Sequence, residues 1–427
     1  MTSSTPHGFF GTLLHRWKQL PLALRTLWLM CAIALPVWAH FDDTAWDLKV
    51  YDHALVSLHN GHDPYRDATD IQKQHHQQLS VAGKLAHDET PPYSYVYAPI
   101  TLPLLRALGQ IPRDVLVTLY LILYLSGAFA AVAVCSSFAE AAEYPGVLYL
   151  AAVAVFFPGL LSNGVILSGN IAYILYGAAL ATALIGWRRN QWILFYAVIL
   201  FATCVKAPLL SLILIAPLSG RKQWVPTIGV IAGALGLYAL QPLFMPQLFH
   251  HYLEAVELQF SFNHDFGCSP AGLFSNILYK RGLPYAPGCY FFFLAYALPV
   301  FAALLYGARQ YHRGKLTLQQ WAPVMLVGVL LLNPRIMEYD AAPITLPMAF
   351  ILWRLARASS ARRATYSVLA VTFVILNALS IYSWLLRKAI DGPLILLTFL
   401  AGFWLLHRKI LHPAMAEQPQ PNELAAA

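Results

Sequence analysis

The chain has 427 residues, 58% of them hydrophobic and 11% charged, with a formal net charge of +8 and a mean hydropathy of +0.56. No water-soluble domain needs so much apolar surface, and apolar runs of about 20 residues, enough to cross ~30 Å of hydrocarbon, recur along its length. These runs exclude a soluble core with one anchor, and also a β-barrel, whose strands alternate rather than run continuously apolar.

Residues 1–25 carry His15, Arg16, Lys18 and Arg25, which assigns the N-terminus to the cytoplasm. The first span covers roughly Thr26–Ala39. It lacks a clean small-residue cleavage site and is read as retained, not as a signal peptide. A polar outer segment follows over 41–96. Asp42, Asp43, Asp47, Asp52 and Asp63 crowd into its first part. Carboxylates set beside a membrane span are expensive to desolvate, so such a cluster points to function. Asp47–Leu58 reads as a helix with Val50, Ala54, Leu55 and Leu58 on one face, ended by the turn Asn60-Gly61-His62-Asp63-Pro64. Arg66 to Thr90 reads as a surface loop, and its His75, His76 and His87 have no metal-site spacing.

Tyr93–Pro112 contains Pro99 and Pro103, is short for a span, and is placed as an interfacial or re-entrant segment. Spans are then expected near 114–138, 145–161, 170–187, 191–205, 207–219, 224–244, 287–307, 319–333, 341–356, 364–385 and 393–407. With that placement the loops holding Arg188–Arg189, Arg221–Lys222, Arg309–Lys315, Arg354–Arg363 and His407–Lys409 all fall inside; Arg387 and Lys388 are the exceptions. The expected fold is an all-α integral membrane protein, a polytopic bundle of about twelve transmembrane helices. Both termini lie inside, and residues 411–427 form a disordered cytoplasmic tail. The unusual polar elements converge on the outer face: loop 41–112, Ser162–Asn170, the break at Val205-Lys206-Ala207-Pro208, loop 245–286 and Asn333–Asp340.

The basic residues sit at span ends and are not interleaved with aromatics, so no nucleic-acid partner is expected. The five cysteines have no metal-ligand spacing. Cys31, Cys135 and Cys204 lie in or near spans. Cys268 and Cys289 fall near one outer loop, where a disulfide requires an oxidising compartment.

Asp47 and Tyr51 share a helix face. A carboxylate at a low-dielectric surface has its pKa raised towards neutrality, which suits a general base; a first-turn aspartate that only complements the helix dipole is the alternative. Asp43 is an equal candidate for the base. Lys206, alone between two apolar segments, is either a phosphate ligand at the head of a cavity or a hairpin-tip lysine that snorkels. Ser168-Gly169-Asn170 opens a span, as an N-cap or as a site for an anion or sugar hydroxyl. In Asn333–Asp340 three charges interrupt two spans. Arg335 there either clamps phosphate through its planar fork or pairs with Glu338 in a solvated loop.

In order, D-L-K-V-Y-D-H-A-L from Asp47, G-H-D-P-Y from Gly61, Y-V-Y-A-P from Tyr95 through Pro99, S-G-N at Ser168, V-K-A-P around Lys206 and N-P-R-I-M-E-Y-D from Asn333 resemble the bacterial polyprenol-phosphate-dependent α-1,2-mannosyltransferase-like proteins of the GT-C superfamily. The resemblance runs over roughly residues 40–345. It implies a GT-C-like catalytic module over 26–345 with a periplasmic-side cavity, followed by C-terminal helices over 346–410. It implies an inverting transfer of a mannose-like hexose from a polyprenyl-phosphate-linked sugar donor to a lipid or glycan acceptor, at the outer face of a bacterial inner membrane. Asp47 or Asp43 would be the base. Lys206 and Arg335 would hold the donor phosphate. Tyr51, Tyr97, Asn170, His264, Glu338 and Tyr339 would contact substrate. Membrane lipids are the other partners, and no cofactor or metal is implied. The chain departs at the C-terminal motif, where relatives carry histidine in a pattern like S-P-x-x-W-x-H and Glu338, Tyr339 and Asp340 stand here; sugar and acceptor stay open. A transporter or flippase for a lipid-linked or small anionic substrate is the competing reading.

Overall fold

The computed structural model describes residues 46–66, 69–70, 95–139, 169–263, 266–280, 285–359 and 384–411, with short pieces between 364 and 375. Among these residues the architecture is all-α, and the β contact is one parallel bridge between Gly267 and Ile336. The helices, in order, are α1 Trp46–His59, α2 Leu102–Leu108, α3 Arg113–Ser136, α4 Ala172–Arg189 and α5 Ile193–Val205. A 3-10 stretch Ala207–Leu214 leads into α6 Ile215–Ser219. Then come α7 Trp224–Phe244, α8 Pro246–Asn263, α9 Pro270–Lys280, α10 Tyr285–His312, α11 Leu318–Leu331, α12 Glu338–Ala341, α13 Thr345–Ala358 and α14 Trp384–Leu411.

Among the described residues four helices are long and apolar enough to cross a membrane: α3, α7, α10 over Gly288–His312, and α14 over Ile390–Leu411. Their outer faces keep large apolar side chains exposed, such as Val225, Leu243 and Phe244 on α7 and Phe291, Leu294 and Leu298 on α10. Water would not tolerate such faces and lipid would, so the chain is a multi-pass helical membrane protein. About twelve spans were expected, and four described helices meet that description by themselves. Helix α4 has 18 residues but is not among the four, and other helices at expected spans are shorter, with 13 residues in α5 and 14 each in α11 and α13. Burial compensates for α11, which is buried along its whole length from Trp321 to Leu331 and so lies inside the bundle rather than against lipid. The first expected span and the one near 145–161 lie outside the described residues, as does most of that near 364–385.

Chain direction sorts the ends of the helices into two groups. Lys206 is extended and separates α5 from the following 3-10 stretch. The two segments fold back on each other: Tyr196 near the start of α5 donates to Gln223, just past α6, and Trp187 near the end of α4 donates through Nε1 to Ser219 Oγ at 2.7 Å. Lys206 is therefore the tip of a helical hairpin. At the hairpin's base, Trp321 Nε1 donates to the Leu218 carbonyl, His312 meets the Pro217 carbonyl, and Arg354 donates to the carbonyls of Gln319 and Phe138. Arg188, Arg189, Arg221, Lys222, Arg309, Arg313, Lys315 and Arg354 therefore share the base end. The starts of α1 and α4, Lys206 and residues 333–340 share the tip end.

Of Tyr93–Pro112, residues 95–98 are irregular and 99–101 form a 3-10 turn that runs directly into the 7-residue α2, a helical run too short by itself to cross a membrane. Proline at the N-terminal positions of both pieces suits the start of a helical turn. Helices α3 and α4 approach closely through Gly127 and Gly177; a Cβ on Gly177 would lie 2.2 Å from the Gly127 carbonyl oxygen.

Candidate active site

Helix α1 forms where the sequence reading put it. Its apolar face buries Val50 and Ala54, and Gly61 at φ +74° ends it with a turn that glycine adopts without strain. This places Asp47 in the first turn, facing the bundle, with Tyr51 one turn on. Tyr51 Oη lies 2.7 Å from Tyr97 Oη and accepts from the Ile171 backbone N–H at 3.3 Å. Tyr97 is held in turn by Tyr65, whose hydroxyl donates to the Tyr97 carbonyl at 2.6 Å. Two stretches far apart in sequence, Y-V-Y-A-P and the start of α4, are thus joined through one tyrosine of α1.

Asn170 combines both roles weighed for it. Its Oδ1 accepts from the Ala172 N–H at 2.9 Å, as a helix-start residue does, and the same side chain hydrogen-bonds Asp47. Gly169, at φ +67°, permits the turn before it, and the Tyr120 hydroxyl of α3 donates to the Gly169 carbonyl. Asp47 Oδ2 is enclosed and has no hydrogen-bond partner among the described residues. Burial pushes the Asp47 carboxyl up to about 6, against the opposing pull of the Asn170 hydrogen bond and of the cations Lys206 and Arg335. A carboxyl with a pKa of about 6 is mostly ionised near neutrality yet more basic than an ordinary aspartate, and with one unoccupied oxygen it is chemically equipped to take a proton.

Lys206 meets Asp47 from the hairpin tip. Its Nζ donates to Asp340 Oδ1 at 2.7 Å and sits 3.9 Å from the centroid of the Tyr339 ring. The Met337 N–H donates to Asp340 Oδ2 at 3.1 Å. The side chains of this ion pair are 10% and 5% exposed, so it is a buried pair and not a snorkelling lysine. Residues 333–340 are likewise not a solvated loop: Asn333, Ile336, Glu338 and Asp340 are buried and Arg335 is half-buried. They are pinned from outside. The Cys268 N–H donates to the Ile336 carbonyl at 2.6 Å, and Gly267, at φ +63°, lies so close that a Cβ there would collide with the same oxygen.

The structure therefore brings Asp47, Tyr51, Tyr97, Asn170, Lys206, Arg335 and Tyr339 into one polar cluster. Asp43 and His264 lie outside the described residues. The cluster is closed rather than cavernous, because tyrosine rings fill the space around Asp47. The Tyr51 ring lies tilted against Tyr97 and Tyr120, with centroids 5.5 Å and 6.1 Å away. Sequence reading did not single out Asp340 as the partner of Lys206. It also missed Tyr120 and Tyr124, whose i, i+4 spacing in an apolar span was the available signal. A second pair missed in sequence joins His251 Nδ1 of α8 to Asp63 Oδ2 at 2.5 Å and docks α8 on the turn after α1. Cys268 and Cys289 are both buried free thiols, not a disulfide. Among the described residues no group of three His, Cys, Asp or Glu side chains is placed to hold a metal ion. Compared with known proteins, the chain matches no family model, no curated protein and no solved structure.

Proposed function

We propose that this protein is an inverting glycosyltransferase. It would move a mannose-like hexose from a polyprenyl-phosphate donor to a lipid or glycan hydroxyl at the periplasmic face of a bacterial inner membrane. The observation that carries the reading is the enclosed, unpartnered Oδ2 of Asp47 facing a cluster that also holds Lys206 and Arg335. The acceptor hydroxyl gives its proton to Asp47 Oδ2, and its oxygen forms the new bond to the anomeric carbon. The bond from that carbon to the donor phosphate breaks with its electron pair, and polyprenyl phosphate leaves. Lys206 and Arg335 stabilise the charge that develops on it, where water is excluded. Holding donor and acceptor at one interface supplies the remaining advantage. The finer architecture belongs to the same proposal: about twelve crossings, a basic cytoplasmic end, and a cavity that opens in the tyrosine cluster as the donor enters.

A second reading is favoured by the Lys206–Asp340 pair. A buried ion pair at a break between apolar helical segments is also the equipment of a transporter for a lipid-linked or small anionic substrate. Proteoliposomes loaded with radiolabelled polyprenyl-phosphate mannose and a crude envelope-lipid acceptor separate the two. Transfer by the native chain, lost in Asp47→Asn with donor binding retained, is the expected result. No transfer by the native chain across several donor sugars overturns the enzyme reading in favour of transport.

A further inference from the structure

At the end of the molecule opposite the Asp47 cluster lies a cleft of about 320 Å³, lined by Pro217, Trp224, Leu305, Ala308, Arg309, His312 and Arg313. It sits where three segments meet: the base of the hairpin that carries Lys206, the first residue of α7, and the last turns of α10. Helix α10 contributes Leu305 and Ala308 and, about one turn on, the exposed Arg309, His312 and Arg313; Pro217 and the indole of Trp224 complete the lining, and the basic Arg221 and Lys222 follow the hairpin base directly. Residues 217–224 and 305–316 contain no Asp or Glu, so the cleft's own segments offer these cations no carboxylate.

A preference for basic residues on the cytoplasmic side explains the presence of the charges, and nothing more. It does not explain a cleft between helices in which an arginine pair one turn apart borders apolar lining from its own helix and from Pro217 and Trp224. That combination matches a lipid with an anionic headgroup. The phosphate meets two guanidinium groups, which bind phosphate oxygens through paired N–H donors. The acyl chains continue along the exposed apolar faces of α7 and α10, where Val225, Ile228 and Leu298 stand open. Trp224 belongs at the headgroup level, where an amphipathic ring is stable. The scaffold is firm, because Trp321 is fully buried beneath the cleft and donates to the Leu218 carbonyl at 3.0 Å.

We propose that this cleft is a specific binding site for an anionic phospholipid. The lipid wedges the hairpin base against α7 and α10, at the end of the same hairpin whose tip presents Lys206. The inference rests on the multi-pass reading and on the cleft. It is independent of the proposed transferase chemistry.

The test is native mass spectrometry of the full chain, released from detergent after titration with phosphatidylglycerol or with phosphatidylcholine. The native chain is expected to retain one phosphatidylglycerol selectively, and Arg309→Ala with Arg313→Ala to bind it roughly thirtyfold more weakly, about a factor of five for each cation at an anionic lipid surface. Arg309→Lys with Arg313→Lys keeps the charge but not the paired donors, and is expected to bind more tightly than the alanine pair and more weakly than the native chain, which separates lost charge from lost folding. Equal retention of the two lipids by the native chain overturns the proposal. So does undiminished binding by the alanine pair, or displacement of the lipid by inorganic phosphate. If the alanine pair fails to fold, the native comparison of the two lipids decides alone.

Discussion

Asp47 shows how a single side chain can be placed against its own solvation. Its carboxyl is raised from 3.8 to about 6, chiefly by burial, so the ionised form is held at a cost to the fold. The sign follows from linkage. A carboxyl whose pKa is higher folded than unfolded binds its proton more tightly in the folded state, so its contribution to stability is greatest below about pH 4 and is lost as pH rises through about 6. Asp47→Asn cannot ionise. Its thermal midpoint, followed in detergent across pH, is therefore expected to gain on the native chain between about pH 4 and about pH 6 and to stay ahead above that. A midpoint difference that does not change with pH would mean that Asp47 is not strained by burial. If Asp47 is the base, transfer by the native chain should rise over the same interval, because only the ionised form accepts the proton. A first-turn aspartate is readable as a candidate from the sequence, since the type and position of the residue are enough. Its elevated pKa is not readable there, because the burial that raises it, and the Asn170 hydrogen bond that opposes it, come from residues remote in the chain and adjacent only after folding.

At the scale of elements, the hairpin made by α5 and the 3-10 stretch after Lys206 organises the bundle. The sequence announces the break through Lys206 and Pro208, which interrupt two apolar runs. What it does not announce is the partner. Asp340 lies 134 residues away, and its pairing with Lys206 ties the hairpin tip to residues 333–340. Removing one member of a buried pair leaves the other charge uncompensated and typically costs about 3–5 kcal/mol, whereas replacing both with apolar residues is often near neutral. Lys206→Met is therefore expected to lower stability by that amount in an unfolding titration. Lys206→Met combined with Asp340→Leu should recover most of the loss. Additive losses in the double variant would mean that the two side chains act separately. The pairing also bears on the proposed chemistry, because a donor phosphate entering the cluster meets a lysine already neutralised by Asp340. The phosphate must share or displace that carboxylate. For 333–340 the sequence left a functional element and a solvated loop as alternatives. The Gly267–Ile336 bridge and the Cys268 hydrogen bond fold the run under the 266–269 turn and decide against the solvated loop.

For the molecule as a whole, the polar cluster lies at one end of the helices and many of the basic residues lie at the other, with Lys49, Arg106 and Arg113 as exceptions near α1; in the proposed orientation the basic end faces the cytoplasm. Labelling of intact cells checks this orientation, because the native cysteines among the described residues are buried or half-buried. Lys315→Cys at the basic end should react only with a membrane-permeant maleimide. Asn60→Cys, exposed at the end of α1, should react with an impermeant one as well. The reverse pattern would turn the protein over in the membrane and place Asp47 on the cytoplasmic side. Composition alone settled the class of the protein, because long apolar runs can only be satisfied in lipid as helices, and that requirement is local to each run. The same locality let α1, the break at Lys206 and the short α2 be read from spacing, proline and glycine. The joining of Asp47, Asn170, Lys206 and Asp340, the closure of the cluster by tyrosine rings and the cleft at the basic end came only with the folded bundle. Each depends on which helix packs beside which, and in a chain whose helices are nearly all apolar, many neighbour arrangements satisfy the same pattern.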